Sequence, residues 1–141
     1  MADAAQVWVV DDDRSVRFVL AAALGEAGFG VTAFADAAEV LDALASGRVP
    51  DLLLTDVRMP GDSGLTLLDK LKASHPRLPV IVMSAHTDVA STAGAFRGGA
   101  QEFLSKPFDM DEAVALVRRA LPEQAIERAA LPPAAVPEPT Q

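Results

Sequence analysis

Residues 7–13 read VWVVDDD, a short apolar run that ends in three consecutive carboxylates. A run of this length without alternating polar positions is typical of a strand covered on both faces, as in parallel sheets. Four further short runs follow along the chain, at residues 31–34, 52–54, 80–83 and 102–104. Together the five runs predict five largely buried strands.

Stretches of helical period separate these runs. Apolar residues recur at helical spacing within residues 16–27, 40–44, 65–71 and 113–121, and more weakly within residues 89–96. Strands that alternate with helices over short connections indicate a parallel sheet with right-handed crossovers. The sequence therefore predicts a single doubly wound α/β domain of (βα)5 type, built on a five-stranded parallel sheet.

The composition narrows the class of protein. Of 141 residues, 50% are hydrophobic and 23% are charged, which is ordinary for a globular domain. No apolar run reaches the ~18 residues of a membrane span. The first residues do not resemble a signal peptide and the chain has no cysteine, so we expect a cytoplasmic protein. A net charge of -8 argues against direct nucleic-acid binding by this chain and favours cations and basic partner surfaces.

The composition changes at Pro122. Five of the ten prolines lie at or after this position, mixed with alanine and glutamate. We therefore expect a folded domain at residues 1–121 and a flexible Pro/Ala-rich linker at residues 122–141. The chain has no Gly-x-x-x-x-Gly-Lys-Ser/Thr phosphate loop and no basic recognition helix, so we predict neither an ATPase nor a DNA-binding domain within it.

Polar side chains follow four of the predicted strands. They are Asp11, Asp12 and Asp13 after the first, Asp56 after the third, Ser84 after the fourth and Lys106 after the fifth. Ligands of doubly wound sheets bind at the carboxyl ends of the strands, near the switch in strand order. Carboxylates gathered there would repel one another, and a hard divalent cation relieves that repulsion. Mg²⁺ fits best, since it takes one or two carboxylates and keeps phosphate or water oxygens as its other ligands.

These groups have the chemistry of phosphoryl transfer. A carboxylate beside a metal ion, opposite a lysine and a hydroxyl, can act as a nucleophile in a site that neutralises the charge of the phosphoryl group. We predict Asp56 as that nucleophile, with Mg²⁺, Lys106 and Ser84 holding the phosphoryl group. For Asp13, capping of the next helix is as well supported an interpretation as a role in the acidic site.

The chain resembles the response-regulator receiver family of bacterial two-component signalling across residues 6–121. The resemblance rests on four motifs in family order: VVDDD at 9–13, DVRMPG at 56–61, MSA at 83–85 and KPF at 106–108. Further stretches are similar to the receivers of NtrC-like nitrogen regulators. These stretches are residues 7–13, HP at 75–76, LPVI at 78–81, KPFD at 106–109 and DEAVALV at 111–117.

The resemblance implies roles for individual residues. Asp56 matches the phosphoacceptor that a sensor histidine kinase phosphorylates. Asp12 and Asp56 match direct Mg²⁺ ligands, Asp11 matches a ligand that acts through water, and Arg58 matches a ligand through its backbone carbonyl.

Other residues match the switching apparatus of the family. Ser84 and Lys106 match the pair that senses the phosphoryl group, and Phe103 matches an aromatic that rotates inward, although plain core packing is its alternative. Arg58 and His86 match positions that influence the lifetime of the phosphoryl group, with His86 equally explicable as an exposed loop residue.

The resemblance also implies architecture and partners. It implies a flavodoxin-like strand order 2-1-3-4-5, a Lys106–Pro107 bond that is often cis, and a switch surface on the fourth helix, fifth strand and fifth helix. For an NtrC-like regulator, the downstream domains would be an AAA+ ATPase acting on sigma-54 polymerase and a helix-turn-helix DNA-binding domain. No enzyme activity or membrane contact is implied for this chain, and homodimer formation is left open.

One departure from the family concerns the third helix. Many members carry Asp-Gly after the Met-Pro-Gly turn, whereas this chain has Asp62-Ser63-Gly64. The acid thus lies one residue earlier, and Ser63 is expected to cap the helix instead.

Three other functions remain as alternatives. Asp11 and Asp13 resemble the leading acids of haloacid-dehalogenase-like phosphatases, but a second late acid cluster is missing and Asp56 would have no role. A flavodoxin-like flavin binder would share the architecture, but three aspartates in the first loop would repel the flavin phosphate. A degenerate receiver that only binds proteins is the third alternative, against which the complete set of acids, hydroxyl and lysine argues.

Overall fold

The structure is a computed structural model that describes residues 5–59, 61, 63–85, 97 and 99–121. The strands are β1 Gln6–Val10, β2 Gly30–Phe34, β3 Leu52–Asp56, β4 Val80–Ala85 and β5 Glu102–Lys106. The described helices are α1 Arg14–Glu26, α2 Ala37–Ala45, α3 Gly64–Ser74 and α4 Met110–Ala120. The helix predicted at residues 89–96 and the linker predicted at 122–141 lie outside the described residues, so α4 is the fifth predicted helix.

All strand pairs are parallel, and the order across the sheet is β2-β1-β3-β4-β5. This order confirms the predicted doubly wound sheet. β1 lies between β2 and β3, so the chain changes direction across the sheet at β1. The carboxyl ends of β1 and β3 are therefore neighbours at the switch point, where doubly wound sheets bind their ligands.

Alternate side chains of the strands enter two separate cores. From β1, Val7 and Val9 pack into the core that contains Leu20 of α1 and Val117 of α4. Trp8 and Val10 point to the opposite face and pack with residues of α2 and α3. Because both faces of the sheet are covered, the strands have few polar positions, which explains the nearly continuous apolar runs in the sequence.

The helix ends follow from local sequence. Asp13 precedes α1, and its Oδ1 accepts hydrogen bonds from the amides of Ser15 at 2.8 Å and Val16 at 3.4 Å. Asp13 thus caps α1, which decides between its two predicted roles. Ser63 caps α3, as predicted, by accepting a 3.2 Å hydrogen bond from the amide of Thr66.

Three strands extend past the C-terminal ends of the apolar runs that predicted them. β3 continues to Asp56, β4 through Ser84 to Ala85, and β5 to Lys106. In these extensions Asp56 pairs with Met83, and Ser84 pairs with Ser105. Asp56, Ser84 and Lys106 are therefore fixed by strand pairing, whereas Asp11 and Asp12 lie in the loop that follows β1. None of the described helices has the length and hydropathy that crossing a bilayer requires.

Candidate functional site

Asp11 lies at the end of β1 with no solvent exposure. Its amide donates to the carbonyl of Phe34 at 3.1 Å, and its Oδ1 accepts from the amide of Asp13 at 2.9 Å. Its own carbonyl accepts from Nη1 of Arg17 at 2.8 Å, and its Oδ2 accepts from Nζ of Lys106 at 2.8 Å. Every polar group of this buried residue is thus engaged, which fixes the carboxylate in one orientation.

Lys106 brings the acidic residues of two strands together. Its Nζ lies 2.8 Å from Oδ2 of Asp11 and 3.2 Å from Oδ1 of Asp56. Asp56 is 8% exposed, so both carboxylates are largely removed from water. Two such carboxylates need a nearby positive charge, and Lys106 supplies one. The peptide bond between Lys106 and Pro107 is cis.

Three carboxylates converge at this point. One oxygen from each of Asp11, Asp12 and Asp56 lies within 4.8 Å of the other two. Asp11 and Asp56 are buried, whereas Asp12 is exposed and faces solvent. A set of hard oxygen donors that is open on one side suits Mg²⁺, which keeps several waters when it binds proteins. The donor set is therefore compatible with the predicted metal.

The electrostatics of the site are strongly coupled. Burial, together with the negative charge of Asp11, raises the pKa of Asp56, although the ion pair with Lys106 opposes the rise. Burial alone would lower the pKa of Lys106, but its hydrogen bond to Asp11 and the charges of Asp11 and Asp56 raise that pKa overall. Lys106 therefore stays protonated, while the ionised form of Asp56 is disfavoured until more positive charge arrives.

The other predicted site residues differ in their position and solvent exposure. Ser84 is buried at the end of β4, beside the end of β3. Phe103, on β5, is partly buried and packs against the core that contains α2 and α3, so core packing accounts for at least part of its role. Arg58 is exposed and lies two residues after the end of β3, and His86 lies outside the described residues.

Three residues that contribute to the site were not predicted. Thr55 is fully buried, and its Oγ1 donates to the carbonyl of Asp56 at 3.0 Å. Gly64 lies against that same carbonyl, so a Cβ at this position would collide with it. Arg17 reaches the carbonyl of Asp11. Glycine directly after the predicted cap Ser63 was the signal for Gly64, whereas contacts to backbone carbonyls leave no pattern in the sequence.

An apolar groove of about 460 Å³ lies beside Lys106. It runs between the first turns of α1 and the segment that follows β5. Its lining residues are Ser15, Val16, Val19, Lys106, Pro107, Phe108 and Met110. On the same helix Phe18 is 74% exposed and Val19 is 42% exposed. Large apolar side chains beside a polar site are typical of a protein-binding surface.

The sequence profile of the response regulator receiver domain matches residues 7–118. The chain belongs to this family. The DNA-binding transcriptional regulator NtrC of Escherichia coli K12 is 57% identical over 115 residues, which cover 82% of this chain and 24% of that protein. The transcriptional regulatory protein FixJ of Bradyrhizobium diazoefficiens is 40% identical over 121 residues, covering 86% of this chain and 58% of that protein.

Solved structures agree with this assignment of the receiver domain. The BeF3-activated receiver domain of nitrogen regulatory protein C (NtrC) is 55% identical, with a TM-score of 0.71, and the match covers 84% of this chain and 94% of that one. The receiver domain of NtrX from Brucella abortus is 36% identical with a TM-score of 0.77, over 82% of this chain and 97% of that one. The predicted resemblance to NtrC-like receivers is thus confirmed. The receiver domain spans about a quarter of the length of the NtrC proteins it matches.

Proposed function

We propose that this receiver domain is a phosphorylation-operated switch in which Asp56 accepts a phosphoryl group from a sensor histidine kinase. The observation that carries the proposal is the position of Lys106, whose Nζ lies 2.8 Å from Asp11 and 3.2 Å from Asp56. This arrangement keeps a positive charge beside the carboxylate that would carry the phosphoryl group. Charge neutralisation and positioning supply most of the catalysis in phosphoryl transfer.

The transfer itself needs one bond to form and one to break. A carboxylate oxygen of Asp56 attacks the phosphorus of a phosphohistidine, and the phosphorus–nitrogen bond breaks. The histidine nitrogen leaves with the electron pair of that bond and is protonated from solvent. The product would be an acyl phosphate on Asp56, which Lys106 and the hydroxyl of Ser84 would hold. A domain that is itself modified in this way is a phosphoacceptor and not an enzyme.

Mg²⁺ is the proposed cofactor. Asp12 and Asp56 would be direct ligands, Asp11 a ligand through water, and Arg58 a ligand through its backbone carbonyl. When bound, the ion neutralises the charge that gathers on the carboxylates and the phosphoryl oxygens. The convergence of three carboxylates within 4.8 Å and the exposure of Asp12 support this proposal.

Phosphorylation is proposed to act through β5. Ser84 and Lys106 would follow the phosphoryl group, and Phe103 would change its packing in response. Lys106 and Phe103 belong to the same strand, three residues apart. A displacement of the strand at Lys106 would therefore also move the backbone of Phe103. The predicted switch surface would then shift between two arrangements; β5 and α4 belong to it, and its predicted helix at residues 89–96 lies outside the described residues. Arg58 and His86 are proposed to modulate the lifetime of the phosphoryl group.

The apolar groove beside Lys106 is the proposed docking surface for the kinase. The groove is lined by Lys106, which contacts Asp56, and by residues of α1, the helix that also carries the exposed Phe18. A partner helix bound there would bring its phosphohistidine to the open side of the site.

The wider assignment also remains a proposal. We propose that residues 1–121 form the receiver domain and that residues 122–141 are a flexible linker to an AAA+ ATPase and a DNA-binding domain. That protein would be a cytoplasmic, sigma-54-dependent regulator of nitrogen metabolism. Support comes from the identity to NtrC proteins, of which this chain covers 24%.

Intact-mass measurement tests the proposal. Incubation with acetyl phosphate and Mg²⁺ is expected to add one phosphoryl group to the wild type. The gain is expected to disappear in Asp56→Asn and in the presence of a chelator, and to persist in Asp69→Asn, which removes an exposed aspartate of α3.

Other outcomes have distinct meanings. No gain in the wild type would favour a degenerate receiver that only binds proteins. A retained gain in Asp56→Asn would mean that another carboxylate is the acceptor. Sustained hydrolysis of a generic phosphomonoester would favour a phosphatase of the haloacid-dehalogenase type. The switch is tested by amide chemical shifts of β5 and α4 on binding beryllofluoride, and unchanged shifts would exclude it.

A further inference from the structure

The side chain of Arg17 links α1 to the acidic loop, which is formed by Asp11, Asp12 and Asp13 between β1 and α1. Arg17 is the fourth residue of α1, half-buried, and its Nη1 donates a 2.8 Å hydrogen bond to the carbonyl oxygen of Asp11. Side chains of a helix slant toward its N-terminus, so an arginine at this position naturally reaches the loop before the helix. The contact is therefore a built feature of the β1–α1 connection.

The carbonyl of Asp11 belongs to the peptide unit that joins Asp11 to Asp12. The amide side of Asp11 is held by Phe34 and its carboxylate by Asp13 and Lys106. Asp12, the exposed member of the three acids, directly follows this peptide unit in the chain. The hydrogen bond from Arg17 therefore fixes the plane from which the Asp12 carboxylate extends.

A positive charge at this place has an electrostatic cost. Arg17 stands beside carboxylates that would hold a cation, and like charges repel. A guanidinium that served only as a nearby charge would weaken cation binding. Arg17 favours metal binding overall if its hydrogen bond strengthens binding, by orienting the ligands, more than its positive charge weakens binding by repulsion.

We propose that Arg17 is a positioning residue of the metal site, holding the Asp11–Asp12 peptide unit so that the Asp12 carboxylate meets the other two. This inference rests on the proposed Mg²⁺ site. The change in Mg²⁺ affinity that this role predicts for loss of Arg17 is opposite in sign to the change that loss of a nearby charge alone would cause. Loss of the hydrogen bond weakens Mg²⁺ binding, whereas loss of a nearby positive charge strengthens it.

The experiment is calorimetric titration of the full chain with Mg²⁺ for wild type, Arg17→Met, Arg17→Lys and Arg14→Met. Arg14 is an exposed residue of the same helix and provides the matched loss of charge. Arg17→Met is expected to bind Mg²⁺ about tenfold more weakly than wild type, the change that corresponds to one charge-assisted hydrogen bond. Arg17→Lys keeps a charged donor and is expected to recover part of the loss. Arg14→Met is expected to bind as wild type or slightly more tightly.

A readout without metal accompanies the titration. In chelator, the amide resonance of Asp12 is expected to shift in Arg17→Met and to stay unchanged in Arg14→Met. Equal or tighter Mg²⁺ binding by Arg17→Met, with wild-type binding intact, would overturn the positioning role alone. Failure of the wild type to bind Mg²⁺ would overturn the proposed metal site and this inference with it. Urea unfolding in chelator identifies a variant that has simply lost its fold, and Arg17→Lys then decides the question.

Discussion

The backbone carbonyl of Asp56 occupies the space that a side chain at Gly64 would need. The amide of Gly64 also donates to the carbonyl of Val57 at 2.8 Å, so the first residue of α3 is held against the end of β3. Backbone cannot move aside as the end of a flexible side chain can. Gly64→Ala is therefore expected to displace Asp56, to cost about 1–3 kcal/mol of stability, and to reduce phosphorylation by acetyl phosphate. Urea unfolding and intact mass measure the two effects.

A glycine in open space provides the control. A Cβ at Gly25 of α1 would meet no atom within 4 Å. Gly25→Ala is expected to stabilise the protein by about 0.5–1 kcal/mol, because alanine loses less backbone entropy in a helix. Equal effects of the two substitutions would show that the contact with Asp56 is unimportant.

Removing Lys106 is expected to lower the stability of the metal-free protein and to increase the stabilisation that Mg²⁺ provides. In Lys106→Met, Asp11 and Asp56 face each other without the ammonium that now lies 2.8 Å and 3.2 Å from them. The metal-free protein is expected to lose about 1–3 kcal/mol. Added Mg²⁺ is expected to raise its melting temperature by more than it raises that of the wild type, since the ion then supplies the missing charge. Thermal unfolding with and without Mg²⁺ measures both effects.

An exposed ion pair serves for comparison. Arg119 contacts Glu102 at 3.0 Å on the solvent side of β5. Arg119→Met is expected to leave both metal-free stability and the response to Mg²⁺ nearly unchanged, because solvent screens exposed pairs. Wild-type stability of Lys106→Met in chelator would show that the buried pairs contribute nothing.

The raised pKa of Asp56 predicts a pH dependence. Burial and the charge of Asp11 raise it above its ordinary value of 3.8. Some carboxyl groups have a higher pKa in the folded than in the unfolded state. Such a group lowers the free energy of unfolding at pH values above its unfolded-state pKa, because the unfolded chain ionises more readily. In chelator at pH 7, Asp56→Asn is expected to be more stable than wild type. The difference is expected to shrink as the pH falls through the raised pKa and to vanish below 3.8. Urea titrations from pH 7 downward test this, and a less stable Asp56→Asn at pH 7 would refute it.

Neighbouring aspartates should respond differently to Mg²⁺. Asp12 belongs to the converging acids, whereas Asp13 caps α1. Asp12→Asn is expected to abolish the Mg²⁺-dependent rise in melting temperature. Asp13→Asn removes the same charge but keeps a good capping side chain, so its response to Mg²⁺ is expected to remain. Loss of the response in both variants would indicate that net charge, and not ligand position, governs binding.

The sequence predicted the sheet well for a physical reason. Parallel strands buried on both faces must be apolar, so their runs are visible without an alignment, and the strand order came from the family motifs. The ends of β3, β4 and β5 were placed too early because Thr55, Ser84 and Ser105 interrupt the apolar pattern while still pairing through their backbones.

The predicted site residues converge where their chemistry suggested. Asp11, Asp12, Asp56 and Lys106 lie together because carboxyl ends of parallel strands share one edge. The contributions of Thr55 and Arg17 could not be predicted, since both side chains act on backbone carbonyls whose position depends on the folded loop. Gly64 is explained only by the space beside Asp56.

The side chain of Lys106 also has a mechanical consequence. β5 is the terminal strand of the sheet, and β4 separates it from β3 and β1. The ion pairs of Lys106 thus reach past β4 and link this edge strand to the end of β3 and to the loop that follows β1. A change in charge at Asp56 would change its ion pair with Lys106, and we expect β5 to respond to that change because it pairs with a neighbouring strand on one side alone.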